Sequence, residues 1–259
     1  DAGGRNSISL RRLNLRNSPS GRGKIALAAH WEGVGIPENY CYMHISNPGY
    51  TGIAPVGNDR ANVVLVVERA CLKGENVDNY FRKIVFKNKL RRELLGSGKP
   101  TERVRVVDSV AYSVKTPQCG GLLLVGDATG FIDPFTGEGI YLSLRSSQLA
   151  VEIVKNAFDR ADFSSRQLQR YDLMRRKEFR EKNILSKALQ YLIYKPSLCN
   201  RVVEVLTTQK ELSSLLVGVI GDYMPANKVV CFEYPLRLIR EMLKQPQPSL
   251  IRAGQSLPN

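Results

Sequence analysis

Gly121-Leu122-Leu123-Leu124-Val125-Gly126-Asp127-Ala128-Thr129-Gly130-Phe131-Ile132-Asp133-Pro134-Phe135-Thr136-Gly137-Glu138-Gly139-Ile140 is the stretch that decides how this chain reads. A short apolar strand, Gly121 to Val125, runs straight into a glycine and an acid, and a loop with Gly and Pro then leads into a helix. A carboxylate at the end of a buried strand is placed to accept hydrogen bonds from polyol hydroxyls. Gly126 lets a ligand approach the backbone with no side chain in the way. Pro134 stiffens the loop, and Gly137 with Gly139 leaves bare N–H groups where the helix begins. Those amides and the helix dipole together attract negative charge. The stretch is therefore expected to hold a ligand that is both a polyol and an electron-rich ring. The helix is expected from about Thr136 to Phe158, with an apolar stripe of Ile140, Leu144, Val151, Val154 and Phe158. Arg145, Gln148, Glu152 and Lys155 are expected on the opposite face.

Upstream, the segment to Gly23 is rich in Arg, Asn, Ser and Gly and reads as the end of a loop-rich connection. From Lys24 to about Thr116 the pattern is mostly strand-like, with Lys24–Trp31, Cys41–Ile45, Val63–Val67 and Val104–Val114 as strands. Asn47 to Gly52 carries turn chemistry. One helix is expected near Val77 to Leu95, where Tyr80, Phe81, Ile84, Val85, Leu90 and Leu94 fall at helical spacing. This block reads as a mostly antiparallel sheet with one inserted helix. Downstream of Ser164 the pattern is helical to near Gly221, with breaks at Lys195-Pro196 and around Thr207. A short amphipathic piece, Leu236 to Leu243, precedes a Pro/Gln/Ser-rich tail without a core-forming pattern.

The 259 residues suffice for one large domain or two ordinary ones. Hydrophobic residues at 43% and charged residues at 24% exclude a disordered tail, a collagen-like repeat and a coiled-coil rod. No window approaches the roughly 18 uninterrupted apolar residues of a membrane-spanning helix. The excess of 38 basic over 24 acidic residues favours anionic partners: nucleic acid, acidic lipid head groups or phosphorylated cofactors. Acidic residues interleave with the basic ones, so most of the charge reads as a solvated surface. Cys41, Cys71, Cys119, Cys199 and Cys231 are widely spaced and form no C-x-x-C pair, which disfavours a zinc site or a disulfide framework. Reduced thiols in a cytoplasmic setting fit this usage. The chain begins Asp1-Ala2-Gly3-Gly4-Arg5, with no Met and no signal-peptide pattern, and reads as cut from something longer.

The Gly121 to Ala150 stretch resembles the second flavin-binding motif of the glutathione-reductase-like flavoproteins related to p-hydroxybenzoate hydroxylase. That superfamily includes aromatic monooxygenases, flavin-dependent halogenases and geranylgeranyl reductases. By this resemblance Gly126, Asp127 and Ala128 match the family's Gly-Asp-Ala, whose carboxylate hydrogen-bonds the ribityl chain of FAD. Pro134, Gly137, Glu138, Gly139 and Ile140 match the loop and helix start, whose amides lie near the flavin pyrimidine edge and stabilise the anionic reduced ring. The version Asp133-Pro134-Phe135-Thr136-Gly137-Glu138-Gly139-Ile140 is most similar to the geranylgeranyl reductase branch. The hydroxylase branch has a His soon after Gly-Asp-Ala and an Asn after the second glycine, where this chain has Thr129-Gly130 and Ile140-Tyr141. The halogenase branch shares the Asp-Pro and lacks the Thr-Gly-Glu-Gly. Ala2-Gly3-Gly4-Arg5-Asn6-Ser7 is similar to the family's middle motif, with Gly3 in place of its Asp. Tyr50 to Gly57, followed by Val63 to Val67, resembles the substrate-sheet segment that faces the isoalloxazine. The family's first motif, G-x-G-x-x-G, is absent from the sequence and is expected upstream of Asp1.

The resemblance implies an α/β (α+β) class protein: a partial glutathione-reductase-like FAD-binding fold with an antiparallel substrate-binding sheet and a helical C-terminal region. Residues 1–23 would be a remnant of the FAD-domain connection, 24–116 the substrate-binding sheet, 117–160 the second FAD motif with its helix, and 161–259 the helical region. It implies an FAD-dependent oxidoreductase that takes hydride from NAD(P)H, NADPH among the candidates. The flavin would pass it to a carbon–carbon double bond of an isoprenoid or similar apolar lipid substrate. The alternative on the same fold is an FAD-dependent monooxygenase or halogenase. A non-catalytic, basic nucleic-acid-binding protein rests on charge alone, and the absence of any nucleic-acid motif disfavours it.

Individual residues carry competing readings. Asp127 is a turn acid or the cofactor's polyol partner, and the glycines at family spacing favour the latter. Glu138 reads as a complement to the helix dipole rather than a catalytic acid, and Asp133 as a cap for the turn before Pro134. His30 and His44 read as packed or surface histidines; His44 lies near the expected substrate sheet and is a candidate general acid on that ground alone. Tyr42 and Tyr50 line a pocket or join the core, and Cys41 reads as a small buried hydrophobe. Tyr191-Leu192-Ile193-Tyr194 with Lys187, Lys195 and Arg201 reads as a helix packed on the flavin domain, or as a basic amphipathic surface in peripheral contact with a membrane.

Overall fold

Ile25, Leu27, Ala29 and Trp31 alternate along the strand Lys24–Glu32 (β1) and are all buried on one side of it. That period of two is what a strand imposes. The computed structural model describes residues 1–17, 23–108 and 110–244. A short helix, Ile8–Arg12 (α1), precedes β1, its start capped by Ser7 Oγ accepting from the Leu10 N–H at 3.1 Å. After β1 come Tyr42–Ser46 (β2), Gly49–Gly57 (β3) and Arg60–Glu68 (β4), then the helices Val77–Lys87 (α2) and Lys89–Leu95 (α3). Lys99–Pro100 (β5) and Arg105–Asp108 (β6) both pair with β1, so the strand order is β2-β3-β4-β1 with β5 and β6 beyond, antiparallel throughout. Tyr112–Ser113 (β7) pairs separately with Gly130–Phe131 (β8).

One sheet face is closed by α2 and α3. Ile25, Leu27, Ala29, Trp31, Ile53, Val63, Leu65 and Val67 meet Phe81, Ile84, Val85 and Leu95 there in the largest core. The expected single helix over 77–95 is two, because Asn88 sits in extended backbone and its side chain accepts from the Arg91 N–H, capping a fresh start. The expected turn is also shorter than 47–52, since β3 begins at Gly49. A Cβ at Gly49 would fall 2.0 Å from the Val66 carbonyl oxygen, so the close approach of β3 to β4 demands glycine there. Cys41, expected to be buried, is exposed, since it lies just outside the paired register of β2.

Two expectations around the deciding stretch are corrected. Gly121 to Val125 forms no ladder among the described residues. Its ends are held instead by single backbone bonds, Gly121 N–H donating to the Phe163 carbonyl at 3.0 Å and Val125 N–H to the Asp1 carbonyl at 3.1 Å. The helix after it, Gly139–Asp159 (α4), buries a different face from the expected stripe. Leu149, Ala150, Ile153 and Ala157 pack on Leu168 and Tyr171 of Ser165–Glu178 (α5), while Ile140, Leu144, Val151, Val154 and Phe158 are exposed. Both sides of α4 are apolar, so periodicity alone could not choose between them.

The chain divides into two compact units, Asp1–Arg180 and Glu181–Asn259. The second is built from Arg180–Ile193 (α6), Pro196–Thr208 (α7), Lys210–Ile220 (α8), Asn227–Val230 (α9) and Glu233–Lys244 (α10). Leu185, Val205, Leu212, Val219, Ala226, Val229 and Tyr234 form its core. The expected breaks near Pro196 and Thr207 are present; the one at Phe179 was not foreseen. The Pro/Gln/Ser-rich tail beyond residue 244, like residues 18–22 of the N-terminal connection, lies outside the described residues. No helix among the described residues is long and apolar enough to cross a membrane.

Candidate cofactor site

Val125 is extended, and the chain then folds into a tight 3-10 turn over Gly126–Thr129. Gly126 has φ +57°, and a Cβ on it would lie 2.8 Å from Ser143 Oγ, so both conformation and space call for glycine. The turn is pinned to α4 from two sides. The Gly126 N–H donates to Ser146 Oγ at 2.9 Å, and Ser146 Oγ donates in turn to the Ser143 carbonyl at 3.0 Å. From below, Tyr112 OH donates to the Asp127 carbonyl at 2.5 Å. Burial, with Asp127 nearby, pushes the Tyr112 phenol up to about 12, so it stays a donor. The Arg16 guanidinium stacks over the Tyr112 ring at 4.5 Å. Leu10, Leu15, Leu124 and Ala128 form the apolar floor under this turn.

The Asp127 backbone is thus fixed while its side chain is exposed. Its carboxylate accepts no hydrogen bond among the described residues. Partial desolvation by the surrounding protein raises its pKa above the usual carboxylate value even though the residue reaches water. Hydroxyl donors brought to this carboxylate would stabilise its charged form.

The second half of the site starts at Asp133. Its Oδ1 accepts from Phe135 N–H at 3.0 Å and from Tyr50 OH at 2.5 Å, and its Oδ2 pairs with Lys24 Nζ at 2.7 Å. The 3-10 turn Pro134–Thr136 follows and ends at Gly137 in the left-handed region, φ +72°. Glu138 is buried and accepts from Thr136 Oγ1 at 3.0 Å. Its side chain does not cap α4, whose first internal bond runs from Leu142 N–H to the Glu138 carbonyl. The first turn begins beside the exposed Ile140, with the dipole of a 21-residue helix behind it.

The Asp133 loop rests on the sheet face opposite α2 and α3. Tyr50 shares that face with Gly52, since side chains alternate along β3. Met43, Gly52, Val64 and Ala28 are cross-strand neighbours in one row. A Cβ at Gly52 would meet only Met43 Cε, at 3.8 Å, so neither backbone nor packing requires glycine at this position. This apolar row adjoins the row of Tyr50, whose hydroxyl holds the loop.

The expected residues Gly126, Asp127, Ala128, Pro134, Gly137, Glu138, Gly139 and Ile140 therefore all belong to one turn, one loop and one helix start. His44 does not join them. It pairs with Thr51 in register and lies on the α2–α3 side, where burial and then Arg91 lower its pKa, so it is no acid for this site. His30 is held by Glu102 at 2.7 Å, and Tyr42 packs against the sheet core. Sequence reasoning missed Lys24, Tyr112, Ser143 and Ser146. The two serines three apart at the start of an amphipathic helix were the one local signal available.

This arrangement can be set beside known proteins. The squalene epoxidase family model matches residues 55–246, well over half of the chain. The chain belongs to the squalene epoxidase family. A digeranylgeranylglycerophospholipid reductase of Methanocella arvoryzae is similar, 33% identical over 145 residues, covering 54% of this chain and 35% of that protein. Digeranylgeranylglycerophospholipid reductase 2 of Methanothermobacter thermautotrophicus is 27% identical over 213 residues, 80% of this chain and 50% of that protein. Among solved structures, the flavin-dependent brominase Bmp2 superposes with a TM-score of 0.74 at 16% identity, over 94% of this chain and 61% of that one. That last likeness is one of fold: the family member described here has the fold of part of a flavin-dependent enzyme. It spans a third to a half of the length of these two reductases.

Proposed function

We propose that this chain carries the ring-side part of an FAD site in an oxidoreductase that acts on carbon–carbon double bonds of an isoprenoid or similarly apolar substrate. The observation that carries the reading is the pairing of an Asp127 carboxylate without a hydrogen-bond partner among the described residues with the uncapped first turn of α4. The first suits a polyol chain and the second an electron-rich ring edge. Gly126, Ala128, Pro134, Gly137, Glu138, Gly139 and Ile140 shape the wall between them. The fit holds at the helix start: a Cβ on Gly137 would meet nothing within 4 Å, so the backbone there is open, whereas Gly126 is packed against Ser143.

Bound FAD would supply the two-electron chemistry, with NAD(P)H as its reductant. Asp127 would accept hydrogen bonds from the ribityl hydroxyls, and the α4 amides would hold negative charge at the pyrimidine edge. The apolar row of Met43, Gly52, Val64 and Ala28 would receive the apolar chain and keep water from the reacting carbons. Reduction of the double bond is the first reading, supported by the Thr136-Gly137-Glu138-Gly139 sequence and the two reductase relatives. Oxygen insertion at the same bond is the second, favoured by the squalene epoxidase match. Lys187 and Tyr191 on α6, with Lys195 just beyond its end, would rest on an acidic lipid surface, where such a substrate resides.

The test is the full-length protein. Purified with FAD it should be yellow, and Asp127→Ala should retain FAD at least tenfold less tightly while melting normally. A wild-type protein that binds no FAD would overturn the reading. Product analysis with a polyprenyl lipid separates its two forms, a saturated chain against an epoxide.

A further inference from the structure

Lys24, Asp133 and Tyr50 are all buried, with 9%, 6% and 3% of their surface exposed. A charged pair hidden this deeply is weak support for stability, because desolvation offsets most of the attraction and apolar replacements are often neutral or better. What the cluster does supply is a fixed geometry. Lys24 opens β1 and Tyr50 lies in β3, on the same sheet face, and both reach one carboxylate on the loop. The same carboxylate holds the Phe135 N–H, and the Phe135 ring meets Tyr50 edge-on at 5.2 Å. Asp133 immediately precedes Pro134, whose ring fixes its own φ. From there only the turn through Gly137 and the buried Glu138 separates it from the first residue of α4.

We propose that Asp133, gripped by Lys24 and Tyr50, is a positioning residue that sets where the first-turn amides of α4 stand relative to the sheet, and so tunes the reduction potential of the bound flavin. This rests on the FAD reading above and adds to it a residue that touches no cofactor. Charge-assisted bonds to one carboxylate from two strands define a distance more sharply than apolar packing does. Displaced amides would stabilise the anionic reduced ring less, and the potential would fall.

The experiment compares the FAD-loaded full-length protein with Asp133→Asn, Lys24→Met, Tyr50→Phe and Asp133→Glu. We expect Asp133→Asn and Lys24→Met to shift the flavin equilibrium about tenfold toward the oxidised form, roughly 30 mV more negative for a two-electron couple. Tyr50→Phe, which keeps the ring and the fold, should shift it less and in the same direction, and Asp133→Glu should recover part of the loss. Variants that melt lower but keep the wild-type potential would overturn the proposal and leave the cluster a structural clamp. Should Asp133→Asn fail to fold, Tyr50→Phe decides: an unchanged potential overturns it. Failure of the wild type to bind FAD would instead overturn the reading beneath, a distinct result.

Discussion

Single residues in this chain are constrained by what lies within a few ångströms of them, and the sequence reveals only some of that. The turn at Gly126-Asp127 was legible, because a glycine and an acid after an apolar run mark a turn. His44 was not, because a strand position one residue over reverses its face. Its place beside Arg91 has a measurable consequence. Burial first, and Arg91 second, hold its folded pKa below the usual imidazole value of about 6.5. The unfolded chain therefore takes up the proton first as pH falls. The contribution to stability is present in full above about 6.5 and is lost as pH drops from there through the folded value. Melting temperatures measured from pH 7.5 to 5.0 should fall for the wild type, and His44→Gln should flatten that part of the profile. A variant with an unchanged slope would show that other groups set the acid limb.

Strands were legible where a short apolar run ends at polar residues. β1 and β4 are such runs with apolar residues on both faces, and their pairing buries Ile25, Leu27, Val63 and Leu65 on one side. α4 was misread because a second apolar face competed and only contact with α5 chose between them. The break at Asn88 was hidden because a capping residue inside an apolar period looks like an ordinary polar position. That break matters, since it brings Arg91 under the β2–β3 hairpin. Arg91 is 1% exposed and, among the described residues, bonds no carboxylate. Its guanidinium donates to the Ile84 and Val85 carbonyls at 2.7 and 2.8 Å, and to Ser46 Oγ and Thr51 Oγ1 at 2.9 and 3.1 Å. Burial lowers its pKa to about 10, so it stays charged at neutral pH. The side chain ties the end of α2 to the hairpin that bears Tyr50. Lysine cannot reproduce the planar fork. Arg91→Lys should cost about 2–3 kcal/mol by urea unfolding, because buried acceptors lose their donors. A loss under about 0.5 kcal/mol would mean that water or a repacked side chain replaces the fork.

At the scale of the whole molecule the charge of +14 favours anionic partners without choosing among them. The membrane contact proposed above draws on one small part of it. In the second unit Lys187, Tyr191 and Lys195 are exposed and recur every four residues along α6 and its C-terminal end, with Lys195 Nζ 5.6 Å from the Tyr191 ring centre. Arg201, grouped with them from sequence, is instead spent on the Met242 carbonyl at 2.6 Å and leaves this face. Two cations flanking a 63%-exposed tyrosine suit the headgroup region of an acidic bilayer, where an amphipathic ring and snorkelling lysines are each accommodated. Each lysine near an anionic surface contributes about 1 kcal/mol, so Lys187→Gln with Lys195→Gln should weaken partition about thirtyfold. Co-sedimentation of the full-length protein with vesicles containing a third phosphatidylserine measures this, against vesicles of phosphatidylcholine alone. Binding should fall steeply between low salt and physiological ionic strength, since exposed charges are screened over about 8–10 Å. Equal binding to both vesicle types, or no loss in the double variant, would leave α6 an ordinary solvated helix and place delivery of the apolar substrate elsewhere.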